Sequence, residues 1–435
     1  MPAQPKDLIR KILFDGIQFV ATPEHLERLA RADISQIAPF VKTITFVAAP
    51  KCWPLTFEGF REVVLAQAIQ KYESDPQNWN GWDSSYASDR AGHQKLIKRQ
   101  WNGKFPLPDD QIRVGFEKYH DDALAAKGVL LGEELRTTWT DALRALQNVH
   151  NLRFTSPEYD EFDHLHLPVQ PDCVIRPHHH DQSHRREKCR RVAAPVGDAL
   201  FAAGIACLAD ANVKGQVLDV ACAMTGQFWW KTLPGWEKLD LGQVQTFTFQ
   251  PEVRSIGEDL YIFEGLGAIA ERAADAVAVV LKKCGGSLEN FTYEGDCPIQ
   301  WPGEEVINLP KLRDLTLGGG SIRSRNLRTW MAKMPSLQLF ELSYTDLGDH
   351  MYSGWLDVFD AIRNHPKGMS VHFNQIAAND GNDISLYYHT DAFEERLEDQ
   401  EAEDPLYDID RSLSLYLSGK IEYNATLRAW LGQGD

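Results

Sequence analysis

The feature that most restricts the fold is a short apolar token, L-x-x-L-x-L, repeated at a nearly fixed step. "LPKLRDLTLGG" carries it as Leu312, Leu315 and Leu317. "MPSLQLFELSY" carries it as Leu337, Phe340 and Leu342, 25 residues later, and "GSLENFTYEG" as Leu288, Phe291 and Tyr293, 24 residues earlier. Side chains two apart on an extended chain point the same way, so the last two members of each token share one face of a strand. The first member, three residues upstream, anchors the turn into that strand. The token recurs at Val41/Ile44/Phe46, Val149/Leu152/Phe154, Val217/Val220/Cys222 and Val244/Phe247/Phe249, and a worn copy, Val371/Phe373, follows "NHPKG".

Helical periodicity fills the gaps. In "AIAERAADAVAVVLKKCGG", Ile269, Ala273, Val277, Val280 and Leu281 form an apolar stripe that a glycine pair stops. "RNLRTWMAKMPS" places Leu327, Trp330, Met331 and Met334 on one side, and Pro335 ends the run. "GWLDVFDAIRNHP", "EELRTTWTDALRALQNVHNL" and "APVGDALFAAGIACLADANV" repeat the pattern. Units of one strand and one helix bury their apolar faces against the next unit and stack. The expected fold is therefore α/β: an irregular leucine-rich-repeat-like solenoid, a horseshoe with its helices on the convex side. A globular α/β sandwich also alternates helix and strand, but the fixed step over three consecutive tokens favours the solenoid.

Three segments are expected. Residues 1–33 form a helical lead-in and 34–380 the solenoid. The solenoid is broken by a helical insertion over about 52–135, with Trp79, Trp82 and Trp101, and by a loop over about 156–194. Residues 381–435 form an acidic linker around "EERLEDQEAEDP" and a C-terminal cap, which shields the core that a last repeat would expose.

Composition narrows the function. The formal charge of −17 opposes a general nucleic-acid or anionic-membrane role, since phosphates would be repelled. No stretch offers the roughly 20 apolar residues of a membrane helix. The N-terminal apolar run is interrupted by Asp15 and Gln18 and makes a poor signal peptide. Seven scattered cysteines do not form a disulfide framework, which points to a reducing compartment, cytoplasmic or nuclear.

Four stretches together resemble filamentous-fungal F-box/leucine-rich-repeat proteins. "FVATPEHLERLARADISQIAPFVKTITF" is similar to the segment that follows an F-box, and "LRTTWTDALRALQNVHNLRF" to the helix and strand before a variable middle. "LPKLRDLTL" and "MPSLQLFEL" match the repeats, and "LYLSGKIEYNATLRAWL" the closing motif. The resemblance implies a protein-interaction role, as a substrate-recognition subunit of a ubiquitin ligase that docks on the Skp adaptor. The F-box departs from that pattern: "MPAQPKDLIRKI" matches only the tail of its last helix, so residues 1–33 are read as a post-F-box remnant.

Two segments suggest chemistry instead. In "CVIRPHHHDQSHRREKC", Cys173, His178, His184 and Cys189 are spaced so that a zinc site is sterically conceivable. The adjacent histidines diverge, however, and the proline and charge on both flanks mark a solvated loop. Its basic cluster, Arg185, Arg186, Lys188, Arg190 and Arg191, is a weak nuclear address. In "DLYIFEGLGAIAERAADAVAVVL", Gly265-x-Gly267-x-x-Ala270 resembles a dinucleotide turn, with Glu289 and Glu294 placed as ribose-binding acids. The next strand, already accounted for as a repeat token, argues against it.

The sequence points to a non-enzymatic scaffold with no catalytic residues, metal or cofactor, and with zinc or nucleotide binding as the alternative. Partner-binding candidates are the residues beside the buried strand positions: Glu289, Thr292 and Glu294; Arg313, Asp314 and Thr316; Gln338, Glu341 and Ser343. "GQFWWKTLPGW" adds Trp229 and Trp230 as possible anchors.

Overall fold

Each apolar token folds as a short strand. The structure, a computed structural model of the 435-residue chain, describes residues 15–47, 54–58, 60–61, 109–146, 148–155, 182–226, 229–253, 263–295, 299–301, 305–347, 354–379, 382–389, 412–413, 415–417, 420–422 and 427. The strands are β1 (Gly16–Val20), β2 (Thr43–Val47), β3 (Asn151–Thr155), β4 (Val217–Ala221), β5 (Ala223–Met224), β6 (Thr246–Phe249), β7 (Glu252–Val253), β8 (Asn290–Glu294), β9 (Gln300–Trp301), β10 (Asp314–Gly318), β11 (Ser321–Ile322), β12 (Leu339–Ser343), β13 (Asp346–Leu347), β14 (Ser370–Asn379) and β15 (Asn382–His389). Nine of them, β1, β2, β3, β4, β6, β8, β10, β12 and β14, pair in parallel in that order within one sheet, and β15 closes it antiparallel to β14. Two small parallel sheets, β5–β7 and β9–β11–β13, follow the carboxyl ends of the main strands.

Register turns the tokens into columns. Ile17, Ile44, Leu152, Leu218, Phe247, Phe291, Leu315, Phe340 and Val371 are successive partners along one column. Phe19, Phe46, Phe154, Val220, Phe249, Tyr293, Leu317, Leu342 and Phe373 form the next, and all nine are buried. Burying each such side chain contributes about 1.5–3 kcal/mol, so these columns supply much of the drive for the sheet. One token sits two residues from its expected place. Leu218 and Val220 fill the columns of β4, Val217 lies half-exposed, and Gly215 stands where Val149 anchors β3. A Cβ at Gly215 would lie 2.8 Å from Leu152 Cγ, so the anchor there has no side chain.

The described helices are α1 (Pro23–Arg31), α2 (Asp109–Leu130), α3 (Glu133–Ala145), α4 (Gln182–Ala211), α5 (Phe263–Cys284), α6 (Ser324–Met331) and α7 (Gly354–Arg363). In α1 the local chemistry is explicit: Thr22 caps the start by accepting from His25 N at 3.3 Å, Pro23 and Glu24 suit the first turn, and Arg28 and Arg31 the last. Aromatic residues join α3 and α4 to the sheet. Trp139 meets Phe19 and Phe46, with ring centroids 5.7 and 5.4 Å apart, while Phe154 lies 4.8 Å from both Phe46 and Phe201. Gly204 lets α4 approach, since a Cβ there would fall 2.5 Å from Phe154 Cε1.

The expected horseshoe is corrected to an α/β protein built on a continuous sheet with nine parallel strands. A solenoid needs a constant unit that touches only its neighbours. Here β8, β10 and β12 keep steps of 24 and 25 residues, but Thr43 and its register partner Asn151 are 108 residues apart, and Thr246 and Asn290 are 44 apart. Helix α4 contacts β2, β3, β5, β7, α2 and α3, so it serves a shared core rather than one unit. Leu413, Tyr416 and Leu427 join that same core.

Segment boundaries move as well. Strand β1 begins at Gly16, inside the lead-in expected to be helical, and strand β15 lies in the region expected as acidic linker and cap. Residues 182–194, expected as loop, are helical in α4. Helix α2 lies within the expected helical insertion. Trp79, Trp82, Trp101 and the acidic run 394–405 lie outside the described residues.

Candidate functional site: the open face of the sheet

Alternation that buries one side of each strand leaves the other side polar. Gln18, Thr45, Arg153, Asp219, Thr248, Thr292, Thr316, Glu341 and His372 are successive register partners in one row, and each is half-buried or exposed. A parallel row one pleat earlier runs Thr43, Asn151, Val217, Thr246, Asn290, Asp314, Leu339 and Ser370. Strands lie about 4.8 Å apart, so each row is a line of closely spaced side chains.

Six of the nine candidates lie on three adjacent strands, Thr292 and Glu294 on β8, Asp314 and Thr316 on β10, Glu341 and Ser343 on β12, and Glu289, Arg313 and Gln338 immediately precede those strands. Glu289 and Arg313 face each other at 3.8 Å just before β8 and β10. Thr316 Oγ1 donates to Glu341 Oε2 at 3.3 Å. The Asn290 amide, oriented to satisfy both neighbours, accepts from Thr246 Oγ1 at 3.2 Å and donates to Asp314 at 2.6 Å. Gln250 Nε2 donates to Glu294 at 2.8 Å. Gln338 lies in line with Arg313, its N–H donating to Arg313 O at 2.7 Å, and Ser343 follows Glu341 at the end of β12. Thr292 occupies the middle row beside Thr316.

The two tryptophans separate. Trp229 is 61% exposed, on the connection after β5, whereas Trp230 is a core residue against Phe201, Trp236 and Phe249 at 4.7, 6.3 and 5.1 Å. Trp230, expected as a partner-binding anchor, is unsuited to that role because its ring is already buried within the molecule.

Three further residues of this surface were missed from sequence. Arg153 Nε lies 3.6 Å from Asp219 Oδ2, making an ion pair across β3 and β4. Burial raises the Asp219 carboxyl above its ordinary range, and Arg153 opposes that shift. Tyr344, 63% exposed, follows β12 with φ of 51°, a left-handed conformation that a non-glycine residue adopts at a cost. Laying the tokens in register exposes it: Gly295 and Gly319 hold the equivalent place after β8 and β10. Gly319 has φ of 69°, and a Cβ there would meet Gly295 O at 2.4 Å.

For the chemical alternatives, Cys173 and His178 lie outside the described residues, and His184 and Cys189 lie on α4. Among the described residues no group of three or more His, Cys, Asp or Glu could hold a metal ion. Gly265, Gly267 and Ala270 are inside α5, which starts at Phe263, rather than in a turn leading to it. A dinucleotide turn needs its first glycine ahead of the helix, where backbone N–H groups are free for phosphate. Among the described residues no helix is long and apolar enough to cross a membrane.

No family model matches the chain, and no curated protein shows significant similarity to it.

Proposed function

We propose that the chain is a non-catalytic recognition scaffold, akin to the substrate-recognition subunits of F-box ubiquitin ligases, that binds a protein partner on the open face of its sheet. The observation that carries the reading is the convergence of nine polar and charged side chains, six on β8, β10 and β12 and three immediately before those strands, at least partly open to solvent. Side chains held on paired strands lose little further freedom on binding, and such preorganisation favours a recognition surface. A cytoplasmic or nuclear setting fits the buried thiols of Cys207 and Cys284; burial pushes the Cys207 thiol to about 11 and the Cys284 thiol to about 12, where neither is a ready nucleophile.

The test is capture from a native extract by the immobilised chain, with a Thr316→Arg/Glu341→Arg variant alongside. A partner retained by the native sequence and lost from the variant supports the reading, and equal retention by both refutes it. Purified Skp adaptor is the second bait. Its retention supports the ligase form of the proposal, and its failure to bind leaves the scaffold without the ligase connection.

A further inference from the structure

The recognition face is unevenly charged. Around β8, β10 and β12 stand four carboxylates, Glu289, Glu294, Asp314 and Glu341, against one guanidinium, Arg313. Only Glu289 faces that cation; Asp314, Glu294 and Glu341 are held by the neutral groups of Asn290, Gln250 and Thr316. Three formal negative charges are left without a cationic partner among the described residues. Between them lie half-buried Thr292 and Thr316, while Gly318 is buried with the Glu294 side chain beside it.

A second observation at the same place is independent of charge. Tyr344 presents a largely exposed ring where the two preceding strands carry glycine, and its backbone is left-handed. Its N–H is tied to Asn374 O at 2.8 Å, which fixes the ring's origin at the carboxyl end of β12. An exposed aromatic face held in a costly conformation suits a cation from outside, since the ring quadrupole attracts guanidinium and ammonium groups.

We infer that this face takes an extended, basic segment of a protein, with Lys or Arg side chains on the carboxylates of β8, β10 and β12 and one cation against Tyr344. The inference rests on the open face being the partner-binding surface, and it specifies the chemistry of that partner. An extended peptide places alternate side chains about 6.6 Å apart on one side, a spacing that lets successive cations reach carboxylates on neighbouring strands.

The probe is a fluorescein-labelled alternating Arg-Ser peptide, titrated into the full chain at low salt and read by fluorescence polarisation. An alternating Glu-Ser peptide is the control. The native chain is expected to bind the first and not the second. Glu294→Lys/Glu341→Lys should weaken binding by about tenfold or more. Tyr344→Ser should weaken it by about threefold. Glu134→Lys/Asp141→Lys, the same charge change on exposed positions of α3, should stay within about twofold of the native chain. Equal loss in the two double variants would overturn the inference, as would no binding of the Arg-Ser peptide or equal binding of both peptides. If a partner captured from extract still requires Thr316 and Glu341 while the Arg-Ser peptide fails to bind, this inference falls and the scaffold reading stands.

Discussion

The run β8–β10–β12 and the run β1–β2–β3–β4 belong to one sheet but are held in different ways. In the first, the steps are 24 and 25 residues and aliphatic Leu315, Leu317 and Leu342 fill much of the columns. In the second, register partners are as far as 108 residues apart, and the column reads Phe19, Phe46, Phe154, with Trp139 and Phe201 laid over it from α3 and α4. The backbone ladder is the same in both: His150 N donates to Lys42 O at 2.8 Å and Arg313 N to Glu289 O at 2.7 Å. Connection length therefore does not set the register. The columns set it, because a one-residue slip would turn every buried side chain outward. Where the connection is long, closure costs more chain entropy, though only slowly with length, and large aromatic contacts offset it.

The largest effect should come from cutting into those aromatics. Phe154→Ala is expected to destabilise by about 3–5 kcal/mol, and Leu317→Ala in the same column by about 2–4 kcal/mol, read as urea midpoints. A reversed order would break the contrast between the two runs.

A smaller effect tests the approach of α4. Phe154 has little room to move aside from Gly204, being stacked on Phe46 and packed edge-on against Phe201. Gly204→Ala should therefore cost about 1–2 kcal/mol despite the better helix propensity of alanine. Gly128→Ala in α2, with nothing within 4 Å of the new Cβ, should stabilise by about 0.5–1 kcal/mol. The two substitutions are chemically identical, so opposite signs in thermal denaturation isolate the packing.

The smallest is a pH dependence on α4. Asp198 accepts from Thr225 N at 3.2 Å and from its hydroxyl, but burial outweighs these bonds and raises its carboxyl above the ordinary range. The folded chain thus holds this proton more tightly than the unfolded chain does. That contribution is present below about pH 4 and is lost as pH rises through the raised folded-state value. Stability of the native chain relative to Asp198→Asn should fall with rising pH in that acid range, and a relative gain would contradict the assignment.

How much was legible follows from these residues. The strands and their buried positions could be read where the token is intact, as at Leu312/Leu315/Leu317, because period-two burial is local information. The β4 token reads two residues late in the sequence because Gly215 replaces the apolar anchor, and only its close approach to the Leu152 side chain reveals why. The architecture is not legible for a related reason: the fixed step holds for three strands, and the reach of α4 over β2, β3, β5 and β7 has no short-range signal. The open-face residues could be named one strand at a time, whereas the Arg153–Asp219 pair needs a register between strands separated by 66 residues. Trp229 and Trp230 look alike in sequence, and only the packing of Phe201 and Phe249 tells them apart.

The most direct test of the open face as the recognition surface is site-specific photo-crosslinking in native extract. One chain would carry a photoreactive phenylalanine analogue at Thr316, and another at Asp275, an exposed position of α5. A discrete adduct from Thr316 and none from Asp275 is the expected result. An adduct from Asp275 with none from Thr316 would place binding on the helices and contradict the account.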